Sequence, residues 1–361
     1  MFKYFAVAGN IILILIMANH PIFGGTIKGK RLERIKKSPN YKDGVFQNLS
    51  LTPSLAEGFT MRKVLWEFLT DKTPNKVPNK KIPSTKTDLK NQKLGDNFLV
   101  WMGHSSYYFQ LSGKRFLVDP VLSGNASPIP GTTKSFAGTD IYTTDDFPEI
   151  DFLIISHDHY DHLDYKTIKQ LKPKIKTVIC GLGVGAHFER WGFDENQIIE
   201  LDWYDNRNLA DDFKITSTPA RHFSGRLFKR NTTLWSSYVL ESPGKKIFIG
   251  GDSGYDIHFK KIGETFGPFD WAILENGQYN EKWKYIHTLP EEFGKVVNDL
   301  NAKNIFPVHS GKFALAQHAW NEPLEKVKQN SLGKNYRLCT PMIGEKLNLD
   351  DESQTFSEWW K

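Results

Sequence analysis

From residue 97 onward the chain is built of short apolar runs, rich in β-branched and aromatic residues, that end in polar clusters. That pattern predicts strands at 98–101, 107–111, 115–118, 152–155, 177–180, 214–218, 237–240, 246–249, 272–274 and 304–306. Between several of them the apolar period lengthens to that of a helix, at Tyr165–Leu171 and from Pro290 to Leu300. The early strands follow one another as hairpins and the later ones alternate with helices. This order predicts an α/β fold of two mixed sheets covered by helices.

The chain before residue 97 reads differently. Tyr4–Ala18 is apolar except for Asn10, and as a helix it would reach roughly 22 Å, against about 30 Å for a bilayer core. Residues 1–25 are therefore expected to be a signal segment or a short anchor. Ile16 is a poor match to the small-residue rule for cleavage after Ala18. Lys28, Lys30, Arg31, Arg34, Lys36 and Lys37 follow against one acid, Glu33, a bias that puts the body of an uncleaved protein on the cytoplasmic side. A cleaved leader would instead make it secreted or periplasmic. Residues 26–96 form a basic extension that ends in a Pro- and Lys-rich stretch from 70, expected to lie on the outside as a linker. Residues 97–350 are the expected catalytic domain and 351–361 a tail.

Composition narrows the classes. Of 361 residues 39% are hydrophobic, 13% aromatic and 24% charged, enough apolar surface for a full core, so disorder, collagen and coiled coil are excluded. Two cysteines exclude a disulfide scaffold and a thiolate zinc ribbon. A net charge of +6 suits an anionic partner or surface. The sequence carries no internal repeat, GxGxxG or P-loop.

The chemistry collects at strand ends. Directly after the run DFLIIS stands His157-Asp158-His159-Tyr160-Asp161-His162. In an extended loop His157 and His159 project to the same side, while Asp161 and His162 stand where the chain turns and can address a second ion. Imidazole nitrogen and carboxylate oxygen meet the demands of zinc without cysteine. His222, Asp252 and His309 follow later apolar runs and complete two sets. His157, His159 and His222 would take one ion and Asp161, His162 and His309 the other, with Asp252 bridging. Two Zn²⁺ against two aspartates leave a positive excess that favours hydroxide and an anionic substrate. His104, in a turn between strands, is expected to brace the metal loop. Asp119 is expected to support a metal histidine from behind, and Asp164 to cap the helix after the motif. His187, His258 and His318 read as structural. Trp203, Tyr204, Phe223 and Trp235 are candidates for an acyl groove or for the core.

An H-x-H-x-D-H motif followed by an isolated His, a Gly-Asp and a final His resembles the metallo-β-lactamase superfamily. Within it the chain is similar to the N-acylphosphatidylethanolamine-hydrolysing phospholipase D group and its bacterial relatives. The stretches that carry this resemblance are Trp101-Met102-Gly103-His104, DPVLSGNASPIP from Asp119, ISHDHYDHLDY from Ile155, IELDWYD from Ile199, TPARH from Thr218, GGDSGY from Gly250, FGPFD from Phe266, and His309-Ser310-Gly311-Lys312-Phe313-Ala314-Leu315. The resemblance implies an αβ/βα sandwich with two zinc ions at one sheet edge. It also implies release of an N-acylethanolamine and phosphatidic acid from an N-acylated phosphatidylethanolamine at a membrane surface. In that chemistry a hydroxide shared by the zincs attacks phosphorus, Asp252 positions both ions and Asp161 orients the hydroxide. His287 resembles a family histidine near the site and is the candidate for phosphate contact or leaving-group protonation. Two departures from the group bear on the substrate: Glu275, where an apolar stretch is expected, and Arg221, ahead of His222. A lactonase or nuclease on the same fold is the alternative, and a non-catalytic metal-stabilised binding module a third. No arm for nucleic acid is found.

Overall fold

In the computed structural model, which describes residues 19–226 and 229–361, two seven-stranded sheets face each other. The first contains β1 (Phe98–Trp101), β2 (Tyr107–Leu111), β3 (Lys114–Val118), β4 (Ile150–Ile155), β5 (Ile175–Gly181) and β6 (Ile198–Leu201). The second contains β7 (Asn206–Asn208), β8 (Lys214–Thr218), β9 (Ser237–Ser242), β10 (Lys245–Ile249), β11 (Phe269–Glu275), β12 (Ala302–Val308) and β13 (Arg337–Leu338). The last strand, β14 (Lys346–Asn348), returns to the first sheet. Strand orders are β14-β1-β2-β3-β4-β5-β6 and β13-β12-β11-β10-β9-β8-β7. Each sheet is antiparallel on one side and parallel on the other: β3, β4, β5 and β6 run parallel in the first, and β10, β11, β12 and β13 in the second.

The period of two decides what each face covers. Leu99 and Trp101, Phe109 and Leu111, Phe116 and Val118, and Phe152 and Ile154 point into one core with Ile215, Leu240, Ile247, Ile273 and Phe306 of the opposite sheet. The alternate residues Val100, Leu117, Leu153 and Val178 pack outward on Ile168 and Leu171 of α3 (Tyr165–Leu171) and Phe188 of α4 (Gly185–Arg190). On the other side Phe248, Ala272 and Ile305 pack on α5 (His258–Phe266), α6 (Phe293–Leu300) and α7 (Glu322–Ser331). The layers are helix, sheet, sheet, helix. Burial on both faces explains why the central strands read as unbroken apolar runs.

Four expectations need correction. The stretch 70–97 carries no regular element, but it is no external linker. Ile82 and Leu89 are buried in the two faces of the first sheet, and its backbone bonds to Ala137 and Ile343. The segment 351–361 is no tail, since Trp359 and Trp360 enter the core between the sheets. The helix expected from Pro290 begins at Phe293. Strands β6, β7, β13 and β14 were not foreseen. β7 is exposed throughout and β14 buries only Leu347, so edge position leaves no alternation to read.

The basic extension is part of the body. Its helix α1 (Gly29–Lys36) is pinned by Arg31, whose guanidinium reaches Glu200 at 2.8 Å and Glu189 at 2.7 Å. Ile35 joins Phe46, Trp203 and Trp235 in a separate small core. A second helix, α2 (Met61–Leu69), follows. The apolar run Tyr4–Ala18 lies outside the described residues. Among those described, no helix is long and apolar enough to cross a membrane.

Candidate metal centre

The C-terminal ends of the parallel strands meet at one rim of the sandwich, where open α/β sheets place their ligands. His157 lies two residues beyond β4, Asp252 lies three residues beyond β10, Glu275 ends β11 and His309 directly follows β12. His222 lies just beyond β8, and Asp119 directly beyond β3. The loops approach very closely. A Cβ on Gly251 would lie 2.7 Å from the Ser156 Cβ and 2.9 Å from the Ser236 carbonyl, so the glycines of GGD let the Asp252 loop rest on the histidine loop. His104, Asp119 and His309 all have left-handed backbones, with φ of 53°, 41° and 69°, a strain that packing has to hold.

The rim brings together all seven residues expected to hold metal. One donor group contains His157, His159 and His222, and another His104, Asp161, His162 and His309, each within 4.8 Å. His157 Nε2 and His222 Nε2 lie 2.8 and 3.3 Å from His159 Nδ1. Asp252 stands between the groups: its Oδ2 is 3.2 Å from His162 Nε2 and 3.8 Å from His222 Nε2, and its Oδ1 is 3.1 Å from His309 Nδ1. The donor set suits divalent ions that accept nitrogen and oxygen. Among the buried side-chain atoms left without a hydrogen-bond partner are His162 Nε2 and Asp252 Oδ1. Such orphaned atoms in a buried site call for a ligand, and an ion between the groups supplies one.

Outer contacts fix which ring nitrogen faces inward. Asp119 Oδ2 accepts from His162 Nδ1 at 2.8 Å and from Ser156 Oγ at 2.6 Å, while its Oδ1 accepts from Ser156 N at 2.8 Å. Ser156 Oγ is also 3.0 Å from His157 Nδ1. His222 Nδ1 donates to the Ile286 carbonyl at 2.9 Å, and His309 Nδ1 lies 2.9 Å from Ser105 Oγ. His104 bonds through Nε2 to Asp161 Oδ2 at 2.9 Å, the geometry of a brace, and its position in the second donor group makes it a further candidate ligand.

The electrostatics follow from burial and crowding. Burial, joined by the neighbouring imidazoles, pushes His157, His222 and His309 well below the ordinary imidazole value, and burial carries His159 down to about 4. Burial pulls His162 the same way, but Asp252, Asp161 and Asp119 outweigh it and hold the ring well above 6.5. Burial lifts Asp252 to about 6 against the pull of His162. Burial also acts to raise Asp161, yet His162 and the bond from His104 keep it well below the usual carboxylate range.

A cavity of about 290 Å³ opens onto this centre. His159, Asp161, His222, Asp252, His287 and His309 form its floor, and Phe223, Leu315, Leu55, Met61, Val64 and Arg230 contribute to its wall. His287 Nδ1 is bonded to Glu275 at 2.7 Å, and Glu275 also accepts from Thr288 N. Burial raises the Glu275 carboxyl well above its ordinary value and lowers His287. Of the four aromatics considered for a groove, Phe223 lines the cavity, its ring 4.3 Å from His159. Trp203 and Trp235 belong to the small core and Tyr204 is largely exposed. Arg221 turns away to Thr52 and the Leu51 carbonyl. Asp164 caps α3 through Lys166 N. His187, His258 and His318 bond to Asp158, Ser253 and Gln278 N respectively.

Sequence reasoning missed the contribution of the extension. Asn48 clamps the backbone of His222 on both sides, with Nδ2 donating to its carbonyl at 2.8 Å and Oδ1 accepting from its N–H at 3.0 Å. An isolated Asn gives no signal of this 174 residues away. Ser156, by contrast, directly precedes His157 at the end of the apolar run, a place from which its hydroxyl can bond the ring beside it.

A sequence profile of the Beta-lactamase superfamily domain matches residues 114–310. An uncharacterized protein of Mycobacterium tuberculosis is 34% identical over 331 residues, 90% of this chain and 88% of its own length. The N-acyl-phosphatidylethanolamine-hydrolyzing phospholipase D 1 of Caenorhabditis elegans is 34% identical over 250 residues, 64% of this chain and 69% of its own. Among solved structures, Igni18, a metallo hydrolase from Ignicoccus hospitalis, superposes with a TM-score of 0.52 at 21% identity, covering 70% of this chain and 97% of its own. That likeness concerns the fold.

Proposed function

The chain belongs to the beta-lactamase superfamily, in the group similar to N-acylphosphatidylethanolamine-hydrolysing phospholipase D, and from this we propose that it is a two-zinc phosphodiesterase that cleaves N-acylphosphatidylethanolamine-like lipids at a membrane surface. The chain is a hydrolase of the metallo-β-lactamase fold with residues suited to divalent ions. The observation that carries the phosphodiesterase reading is Asp252, standing between two histidine-rich donor groups on the floor of a cavity with apolar and cationic walls.

His157, His159 and His222 would hold one ion, Asp161, His162 and His309 the other, and Asp252 would touch both. Bound there, two zinc ions supply an ionised water at neutral pH and positive charge to offset the phosphate oxygens. The protein's own residues do the rest. Asp119, Ser156 and the Ile286 carbonyl hold the His162, His157 and His222 rings in the required tautomers, and Ser105 Oγ bonds the His309 ring. His104 fixes the Asp161 carboxylate. Glu275 fixes the His287 ring, whose other nitrogen is free to face the cavity. In the reaction the water oxygen bonds to phosphorus and the bond from phosphorus to the ethanolamine oxygen breaks. The Glu275 carboxyl, raised by burial, holds the proton for that leaving oxygen: it passes to His287 Nδ1 as the far nitrogen of the ring gives its own proton to the ethanolamine oxygen. A cavity of about 290 Å³ is at the small end of ligand sites and takes a headgroup, leaving long acyl chains outside.

The test is metal analysis joined to turnover on the full chain. We expect two zinc per chain and N-acylethanolamine release from N-acylphosphatidylethanolamine. Hydrolysis of a lactone or of bis-p-nitrophenyl phosphate alone would keep the hydrolase and overturn the lipid substrate.

A further inference from the structure

An amphipathic helix on a protein surface normally buries its apolar stripe. Helix α2 (MRKVLWEFL) does the reverse: none of its residues is buried. Leu65, Trp66 and Leu69 are 57%, 67% and 73% exposed, and Met61 and Phe68 are also largely open. The helix is held by its polar side. Glu67 forms an ion pair with Lys282 at 2.5 Å, and its carbonyl accepts from Gln317 at 3.1 Å. At 100° per residue, Glu67 and Lys63 share one side, and Val64, Phe68, Met61, Leu65 and Leu69 sweep across the other. Met61 and Val64, at one edge of this sweep, line the cavity above the metal centre. The apolar surface is thus continuous with the mouth of the site.

We propose that the outward face of α2 is a membrane-docking surface that seats the cavity mouth on an anionic bilayer. A second copy of the chain could also cover an apolar face, but the charges favour lipid headgroups. Arg62 and Lys63 stand exposed in the first turn, Lys72 follows the last, and Arg230 lies exposed at the cavity rim. The nearby acids Glu67 and Asp71 are engaged by Lys282 and Lys76, which leaves the exposed Glu57 and Glu281 against those four cations. An interfacial helix with apolar and aromatic residues on one face and basic residues beside them is the form that lies in the plane of a membrane surface. The proposal rests on the lipid reading of the site and deepens it. A cavity that holds only a headgroup needs the acyl chains to remain in the bilayer, and α2 places its mouth there.

The test uses full-length, metal-loaded protein with Leu65→Cys carrying a polarity-sensitive fluorophore; Cys180 and Cys339 are buried and leave the new thiol as the reactive one. The probe reads α2 locally, whatever the first 18 residues do. With vesicles containing phosphatidylglycerol the emission shifts to the blue and brominated acyl chains quench it. The triple variant L65S/W66S/L69S loses about tenfold or more in turnover of vesicle-borne substrate relative to bis-p-nitrophenyl phosphate, whereas Leu332→Ser, an exposed leucine elsewhere, does not. An unchanged spectrum with vesicles overturns the proposal. So does a blue shift that grows with protein concentration in their absence, which assigns the face to a second copy. Insertion is measured without turnover, so failure of the lipid phosphodiesterase reading leaves the shift intact, and failure of docking leaves the soluble diester reaction intact.

Discussion

Replacing Asp119 by asparagine changes one oxygen to an NH₂ group, and the structure determines where that change is felt. Oδ1 can still accept from Ser156 N, but the new amide nitrogen meets His162 Nδ1, 2.8 Å away, and Ser156 Oγ, 2.6 Å away, both of which donate to the native carboxylate. Two donors then face a third. His162 escapes by presenting a lone pair at Nδ1, which moves its proton to Nε2, the atom that lies 3.2 Å from Asp252 and has no hydrogen-bond partner of its own. The native ring sheds its Nε2 proton to take an ion and keeps Nδ1–H on Asp119, whereas the variant ring keeps its last proton on Nε2, where it blocks the ion. Loss of such an outer partner typically costs 10- to 100-fold in metal affinity, or about 1.4 to 2.8 kcal/mol, and the buried mismatch adds roughly 1 to 3 kcal/mol against folding. Competition with a chromophoric chelator measures the first and urea unfolding of the metal-free protein the second. Metal affinity equal to that of the native protein would refute the tautomer argument, since the cavity and all seven donors are unchanged in the variant.

Three further outcomes are expected. His287→Asn should retain its metal and lower kcat by about 10²- to 10⁴-fold, read by metal content beside turnover; loss of metal would instead make His287 a ligand. Arg31→Met leaves Glu200, bonded to Gly183 N and Gly185 N in the interior, without its cation, and should destabilise the fold by about 3 kcal/mol, measured by denaturant unfolding. His162 carries its proton at pH 7 in the metal-free protein, because its folded value is raised. This contribution to stability is full below 6.5 and is lost as pH rises through the folded value. Metal uptake at pH 7 should therefore expel at least one proton and tighten as pH rises, which calorimetry in buffers of different ionisation enthalpy detects.

The strands that read most clearly are those buried on both faces or placed in hairpins, because burial writes its period into the residues. Phe98–Trp101, Tyr107–Leu111 and Lys214–Thr218 match to the residue. Edge strands such as Asn206–Asn208 leave no such trace. The candidate donors were legible for a related reason. His157 to His162 are adjacent in the chain, and His222, Asp252 and His309 each close an apolar run, so a strand-end rule collects them without coordinates. The sequence by itself therefore determined the layered sheets and the candidate donor set. It could not determine what covers the donors, since contacts between segments more than 150 residues apart carry no local period. Only the tertiary structure decided that Asn48 clamps His222, that Trp359 and Trp360 complete the core, and that α2 turns its apolar face away from the body at the mouth of the site. A helical pattern states that one face is apolar, and the direction of that face is set by what the rest of the fold leaves beside it.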